Sequence, residues 1–545
     1  MRSKLQQLWQ RLSAAQFRAL ILKLGLLYLA WSMAVAFCYY KTNTTFLRAE
    51  SGYYQMISHL SPPPHFDVLR NFVTKSYHGH YAPFAFYSEL ELSYLIGPHE
   101  QFWKLRQLTI VSFLATCLSL LAYSVARIHR LHRMQAMAIA AGIAAIFVFQ
   151  PLMHEFVAWP FLVFQLSAFI LYVLTLLALV QWIKAPERKT WIWLAAAFSY
   201  LSMHVIGFGL ATVLATAAVF ITCLFGIYFG TLKEFVPARR TLVAALITLL
   251  VFATVHALCM QLLSAWPSSS ASQLVSPHRI AVDLGFCAMA FVSMIHALIW
   301  FESPPPPYFA EALVANLWPW GLFLFALAIS FLALRARAYL RQPTAEHLTQ
   351  FCLHCFSIAA FCVLVFMMVA RHLIESDPNP IQNYLLGSRY LVPGNFMLFG
   401  SFAAVAVTAA RRGPKFAALL FLTLGFTALI AGRQFGATTY RQIEPRAEIS
   451  HDQAWRSIVS VARECRAASL PVPNVPMAQL TEEFFDFDLK LYEPLLKYSL
   501  HLPREERIDF EPWEKIRGAE LQKYQSVAPS FRRMTRLLKL EVPNG

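Results

Sequence analysis

In a chain of 545 residues the hydrophobic types make up 57% and the charged types only 14%, a balance that excludes a water-soluble protein of this size. The formal net charge is +16. Most of the Lys and Arg fall in short segments between apolar runs, where they set membrane orientation rather than bind nucleic acid. The nine cysteines make no disulfide framework, because all but Cys465 lie in or at the edge of apolar runs. Cys352, His354 and Cys355 resemble metal spacing, but inside an apolar run they read as small buried side chains.

Apolar runs long enough to span a bilayer recur between Ala19 and Phe435, and each reads as a helix because backbone in lipid must satisfy its own hydrogen bonds. The first covers 19–40, with Arg2, Lys4, Arg11, Arg18 and Lys23 at or before its start and no acidic residue among them. It lacks a small-residue cleavage site, so it is expected to stay as a helix with its N-terminus in the cytoplasm. A long polar loop, 41–107, follows on the far side. Further helices are expected at 108–126, 135–152 and 161–182, then as a pair inside 191–229 split near His204–Gly207, and at 241–262. The last four are expected at 313–334, 351–371, 391–410 and 416–435. The positive stretches 127–133, 184–189, 233–240, 335–341 and 411–415 are then all cytoplasmic, provided that 263–312 is one outside loop carrying a re-entrant or interfacial helix at 281–301.

The segment beyond 435 lands outside, with a helix at 452–467, a break at Pro471–Pro476 and a helix at 481–500. The fold class expected is therefore an all-α polytopic membrane protein. About eleven transmembrane helices occupy 1–435, and a small extracytoplasmic, mainly helical C-terminal domain occupies 436–545. No repeat with matching interrupted helices is visible, which disfavours a secondary transporter.

Loop 41–107 carries more polarity than a connector needs, including Glu50, His59, His65, Asp67, His78, His80, Glu89, Glu91, His99, Glu100, Lys104 and Arg106. Tyr53, Tyr54, Ile57 and Leu60 recur at helical spacing after Glu50, so an interfacial helix should run up to Pro62–Pro64. Glu50 at its start is either a favourable helix-dipole charge or a general base for an acceptor hydroxyl. His154-Glu155 is either a loop-facing pair or a group that orients an acceptor or holds a divalent cation; the loop histidines lack metal-ligand spacing, and no metal or other cofactor is assigned. His204, His256 and His296 read as buried hydrogen-bonding residues.

Ala49-Glu50-Ser51-Gly52-Tyr53-Tyr54 resembles the acidic motif after the first helix of GT-C-type glycosyltransferases, multispanning enzymes that take sugars from polyprenyl-phosphate carriers. The order continues with His80-Tyr81-Ala82-Pro83, Gly97 and Phe102–Arg106. Pro151–Trp159 is similar to a second outside loop of the O-mannosyltransferase-like branches, and Ser388-Arg389-Tyr390-Leu391-Val392-Pro393 to an Arg-Tyr motif opening a late helix. The family position is usually Asp, often beside a second acid, where this chain has Glu50 followed by Ser51.

The resemblance, which covers roughly 19–435, implies a GT-C-like architecture. It implies transfer of a sugar, with inversion, from a polyprenyl-phosphate donor to a glycan, lipid or protein acceptor outside the cytoplasm, in a bacterial inner membrane. Glu50 takes the place of the catalytic base, with Asp67 in reserve. The leaving phosphate needs cations, for which Arg389 stands first, with Arg371-His372 and Arg106 behind it; Tyr390, His154, Glu155, His80 and Tyr54 complete the expected substrate contacts. Two alternatives stay open: a transporter or flippase of lipid-linked substrates, and a non-catalytic scaffold of the same architecture, which the Glu-for-Asp departure would fit.

Overall fold

The computed structural model describes residues 14–42, 44, 46–47, 49–59, 83–151, 153–205, 209–263, part of 281–291, 316–372, 388–438, 451–477, 488–538 and 540. For Glu50 and for the segments 364–372 and 388–397 it describes helical backbone without side chains. Helix α1 (Ala14–Tyr39) leads into two helices of the first loop, α2 (Ala49–His59) and α3 (Pro83–Ile96). Then come α4 (Glu100–Ile128), α5 (Arg133–Val148), the short α6 (Met153–Ala158), a 3-10 turn (Pro160–Leu162) and α7 (Val163–Lys184). Helices α8 (Thr190–Met203), α9 (Gly209–Tyr228) and α10 (Arg239–Leu263) precede the long connection, and α11 (Trp318–Arg341), α12 (Ala345–His372), α13 (Ser388–Ala410) and α14 (Pro414–Thr438) follow it.

Among the described residues seven helices are long and apolar enough to cross a membrane, and three shorter apolar ones lie at Arg133–Val148, Thr190–Met203 and Leu398–Ala410. This is a multi-pass helical membrane protein. The break expected inside 191–229 falls between Met203 and Gly209. Helix α4 starts at Glu100, eight residues before the apolar run that marks it in the sequence, because Trp103, Arg106 and Gln107 find partners in the layer below. The described residues of 281–291 are helical and sit between α11 and α12: Leu284 lies against Gly321, and Phe291 is 6.1 Å from Phe361. Most of 263–312, including 292–301 of the expected re-entrant helix, lies outside the described residues.

One large core joins the membrane helices. Without a hydrophobic force between helices in lipid, close backbone approach through small residues does the joining. Helices α5 and α14 show it: a Cβ on Gly142 would run into the Phe421 carbonyl, and Gly425 faces Gly142 and Ala145.

The basic stretches gather at one end of the bundle. There Glu346 meets Arg411 at 2.7 Å and His129 at 3.8 Å. Arg335 donates to Gln350, which donates to Thr408, each at 2.9 Å. Trp182 and Phe235 meet at 5.0 Å.

At the other end of α4 a second core forms, in which Phe46, Leu47 and Trp103 pack with residues of the C-terminal segment such as Trp455, Tyr492, Leu495 and Leu496. That segment contains α15 (His451–Ala467), β1 (Val472–Asn474), α16 (Glu493–Leu500), β2 (Phe510–Pro512), α17 (Gly518–Val527) and α18 (Ser530–Leu537). Strands β1 and β2 pair in parallel with Val472 opposite Phe510 and Asn474 opposite Pro512, an element that helical periodicity did not announce. Glu464 closes the fold by accepting from the backbone and hydroxyl of Ser530 at 3.0 and 2.6 Å.

Candidate active site at the end of the bundle remote from the basic loops

Leaving α1, the chain is strapped to the end of α5 and to α6. Tyr39 donates to the Val148 carbonyl at 2.5 Å, and Thr44 donates to that of Val157 at 3.1 Å. His154 ties the strap to the last membrane helix. Its Nε2 is 2.7 Å from the Gly432 carbonyl and its Nδ1 is 2.7 Å from the Thr42 hydroxyl. A carbonyl can only accept, so Nε2 carries the proton and Nδ1 accepts from Thr42; the ring is neutral. Burial holds its pKa down at about 4, against a weaker opposing effect of the Gly432 bond. Both nitrogens of His154 are thus committed to protein partners. Glu155, in the first turn of α6, is half-buried.

Helix α2 is seated by Ser51, which is buried and whose hydroxyl accepts from the Phe161 N–H at 3.2 Å. Gly52 is needed beside it, because any Cβ there would collide with the Leu47 carbonyl. One turn on, Tyr54 is fully buried and stacks on Phe161 at 5.9 Å, with Phe86 of α3 parallel to Phe161 on its other contact at 6.3 Å. Glu50 therefore occupies the first turn of a helix whose next two residues are fixed against the strap and the 3-10 turn.

Arg106 holds the layer from the α4 side. Its guanidinium grips Glu89 of α3 in a fork, at 2.6 and 3.1 Å, donates to the Pro160 carbonyl at 2.7 Å and lies 4.4 Å over the Trp103 ring. Glu89 and Arg106 side chains are 2% and 11% exposed. This charge is neutralised inside the protein, so Arg106 positions the layer. Glu89, one of the polar residues of the loop, is its partner. Seventeen residues separate the pair, across a turn at Gly97, and no local spacing rule connects them.

The C-terminal segment covers this layer. Tyr498 of α16 stacks on His59 at 4.1 Å, with Tyr94 at 5.8 Å. It also fills the space over Gly97, whose φ of +61 and missing Cβ both suit glycine. The Gly97 carbonyl in turn accepts from the Trp103 indole at 2.9 Å.

Of the expected site residues, Tyr54, Arg106, His154, Glu155 and the backbone of Glu50 come together in this one layer. Arg389 and Tyr390 open α13, which packs against α6; their side chains, and all of Asp67 and His80, lie outside the described residues. Among the described residues no group of three or more His, Cys, Asp or Glu is placed to hold a metal ion.

No family model and no curated protein matches the sequence. A structure search finds similarity to ArnT from Cupriavidus metallidurans, in a crystal structure bound to undecaprenyl phosphate. The match has 14% identity over 95% of this chain and 89% of that one, with a TM-score of 0.35.

The His59–Tyr498 contact makes a pH-dependent joint. Burial, reinforced by the Arg504 charge, holds the His59 pKa at about 4, below its ordinary 6.5. The folded state then binds fewer protons than the unfolded one between these values, so docking is complete above about pH 6.5 and weakens as pH falls toward 4. Protection of residues 493–500 against hydrogen exchange, taken relative to the unfolded-chain rate at each pH, should therefore fall between pH 7.5 and 5 in the parent chain. It should stay flat in His59→Phe, which keeps the stack and His154 but loses the titrating group. Equal pH response in both chains would contradict this.

Proposed function

We propose that this chain is a membrane glycosyltransferase that moves a sugar from a polyprenyl-phosphate donor to an acceptor hydroxyl at the extracytoplasmic face. The reading is supported most by the seating of the Glu50 turn. Two neighbouring residues, Ser51 and Gly52, lock the start of α2 against the strap and the 3-10 turn, at the end of the bundle where the Arg389 helix packs on α6. A helix that merely lay in the interface would need neither contact.

In this scheme the Glu50 carboxylate takes the proton of the acceptor hydroxyl as that oxygen attacks the anomeric carbon. The bond from that carbon to the phosphate oxygen breaks, its electron pair leaves with the phosphate, and Arg389 stabilises the charge that develops there. Attack from the face opposite the leaving group inverts the anomeric centre. Tyr390, Glu155 and His80 are assigned to substrate contacts, Asp67 is the base in reserve, and Tyr54, Arg106 and His154 hold the layer rigid enough for the reacting atoms to align.

Glu50→Gln keeps shape and removes basicity, so transfer from a polyprenyl-phosphate sugar should fall by about 10²–10⁴-fold. Arg389→Lys keeps the charge but loses the fork, and should weaken donor use more mildly. Both are checked by sugar transfer with purified, folded protein. Unchanged transfer in Glu50→Gln overturns the assignment of the base, and no transfer by the parent chain leaves a transport or scaffold role.

The same reading gives an eleven-helix topology in a bacterial inner membrane, with the five basic stretches in the cytoplasm and the C-terminal domain outside. The meeting of Glu346, Arg411 and His129 at one end, and of the C-terminal core with Trp103 at the other, supports it. Cysteines introduced at Leu340 and Leu500 should react with impermeant reagents from opposite faces. Labelling from one face would refute the topology.

A further inference from the structure

A cationic cluster that the proposed reaction does not use stands at the end of α1. Leu22, Leu26, Leu29, Met33, Phe37 and Tyr40 recur every three or four residues and are all exposed, forming the lipid-facing stripe of that helix. Where the stripe ends, the Arg433 guanidinium of α14 lies 3.8 Å over the Phe37 ring and 5.4 Å from the Tyr40 ring. Lys41 reaches within 5.7 Å of the same Tyr40 ring. From the first turns of α4, Lys104 donates to the Tyr40 carbonyl.

The three cations come from separate elements and meet on one residue, which is 48% exposed. None of them makes an ion pair with a described carboxylate; Glu100 is near enough for its charge to act on Lys104. The end of a helix carries only about half a negative charge in its carbonyls, so three cations exceed what closing α1 requires. The surplus sits at the top of an apolar stripe that faces the bilayer. A ligand there is delivered from the membrane, with chains along Leu29, Met33 and Phe37 and an anion at the level of Tyr40.

We propose that this stripe and its cluster, Lys41, Lys104 and Arg433, form a binding site for an anionic glycerophospholipid, with the headgroup phosphate held over Tyr40. A zwitterionic lipid carries its own ammonium beside the phosphate and gains little from three further cations; a net-negative headgroup gains from each of them. The site does not depend on the glycosyltransferase reading.

Native mass spectrometry of the full chain in neutral micelles tests it, with phosphatidylglycerol, phosphatidylcholine and a polyprenyl phosphate supplied separately at equal concentration. Phosphatidylglycerol should be retained and phosphatidylcholine lost. Retention should fall about fivefold for each charge removed in Lys41→Gln and Arg433→Gln, and Arg433→Lys should restore most of it. Melting temperatures in lipid-free micelles confirm that each variant is folded. Equal retention of the two phospholipids overturns the site, as does undiminished phosphatidylglycerol in the Lys41→Gln/Arg433→Gln double variant. Preference for the polyprenyl phosphate overturns the choice of occupant. Variants that lose stability in lipid-free micelles while keeping the lipid show cations that only close the helix.

Discussion

An uncompensated charge, or a backbone group without its hydrogen bond, is costly in hydrocarbon, and the polar residues of this chain are distributed accordingly. The backbone closes on itself in helices, and the carboxylates, cations and histidines that the chain keeps are driven toward the two ends of the bundle. One end takes the basic stretches, neutralised locally as in the Glu346–Arg411 pair. The other takes the loop between α1 and α4, together with the C-terminal segment that covers it.

At that second end the buried charge and the buried histidine of α6 each hold several partners. Arg106 and Glu89 neutralise each other and carry the Pro160 carbonyl. His154 joins α6, the strap and α14 through both ring nitrogens. Breaking a buried pair from one side leaves the other charge uncompensated, at about 3–5 kcal/mol, so these residues are held in place by the fold itself. A rigid layer of this kind suits the proposed transfer of a sugar from a lipid-borne phosphate to a hydroxyl, because misalignment of a reacting atom by about 1 Å costs on the order of 10²-fold in rate.

How much of this could be read from the amino acids varies with the range of the interaction. Helices follow from hydropathy and charge, which are local: the run at 19–40 appears as Ala14–Tyr39, the stretch after Glu50 as Ala49–His59, and the segment at 452–467 as His451–Ala467. Helix α3 was hidden because Pro83–Ile96 sits inside a polar loop and is too short to resemble a span. The pairing of β1 with β2 joins residues 38 apart, Val472 and Phe510, in strands too short to show alternation. The Arg106–Glu89 fork, the double bond of His154 and the stacking of Tyr498 on His59 are all contacts between distant segments. Residue type makes such contacts possible, but only the packing of helices decides them.

The central claim is that Glu50 and Arg389, distant in sequence, serve one sugar phosphate. A base on the acceptor and a cation on the leaving phosphate must then stand roughly 6–10 Å apart. The direct measurement is cross-linking of the pair Glu50→Cys and Arg389→Cys in the full chain in membranes, using thiol reagents of graded length. Efficient linkage by reagents spanning about 8 Å is expected. Linkage only by reagents of about 20 Å or more would contradict it, since no single sugar phosphate could then touch both residues.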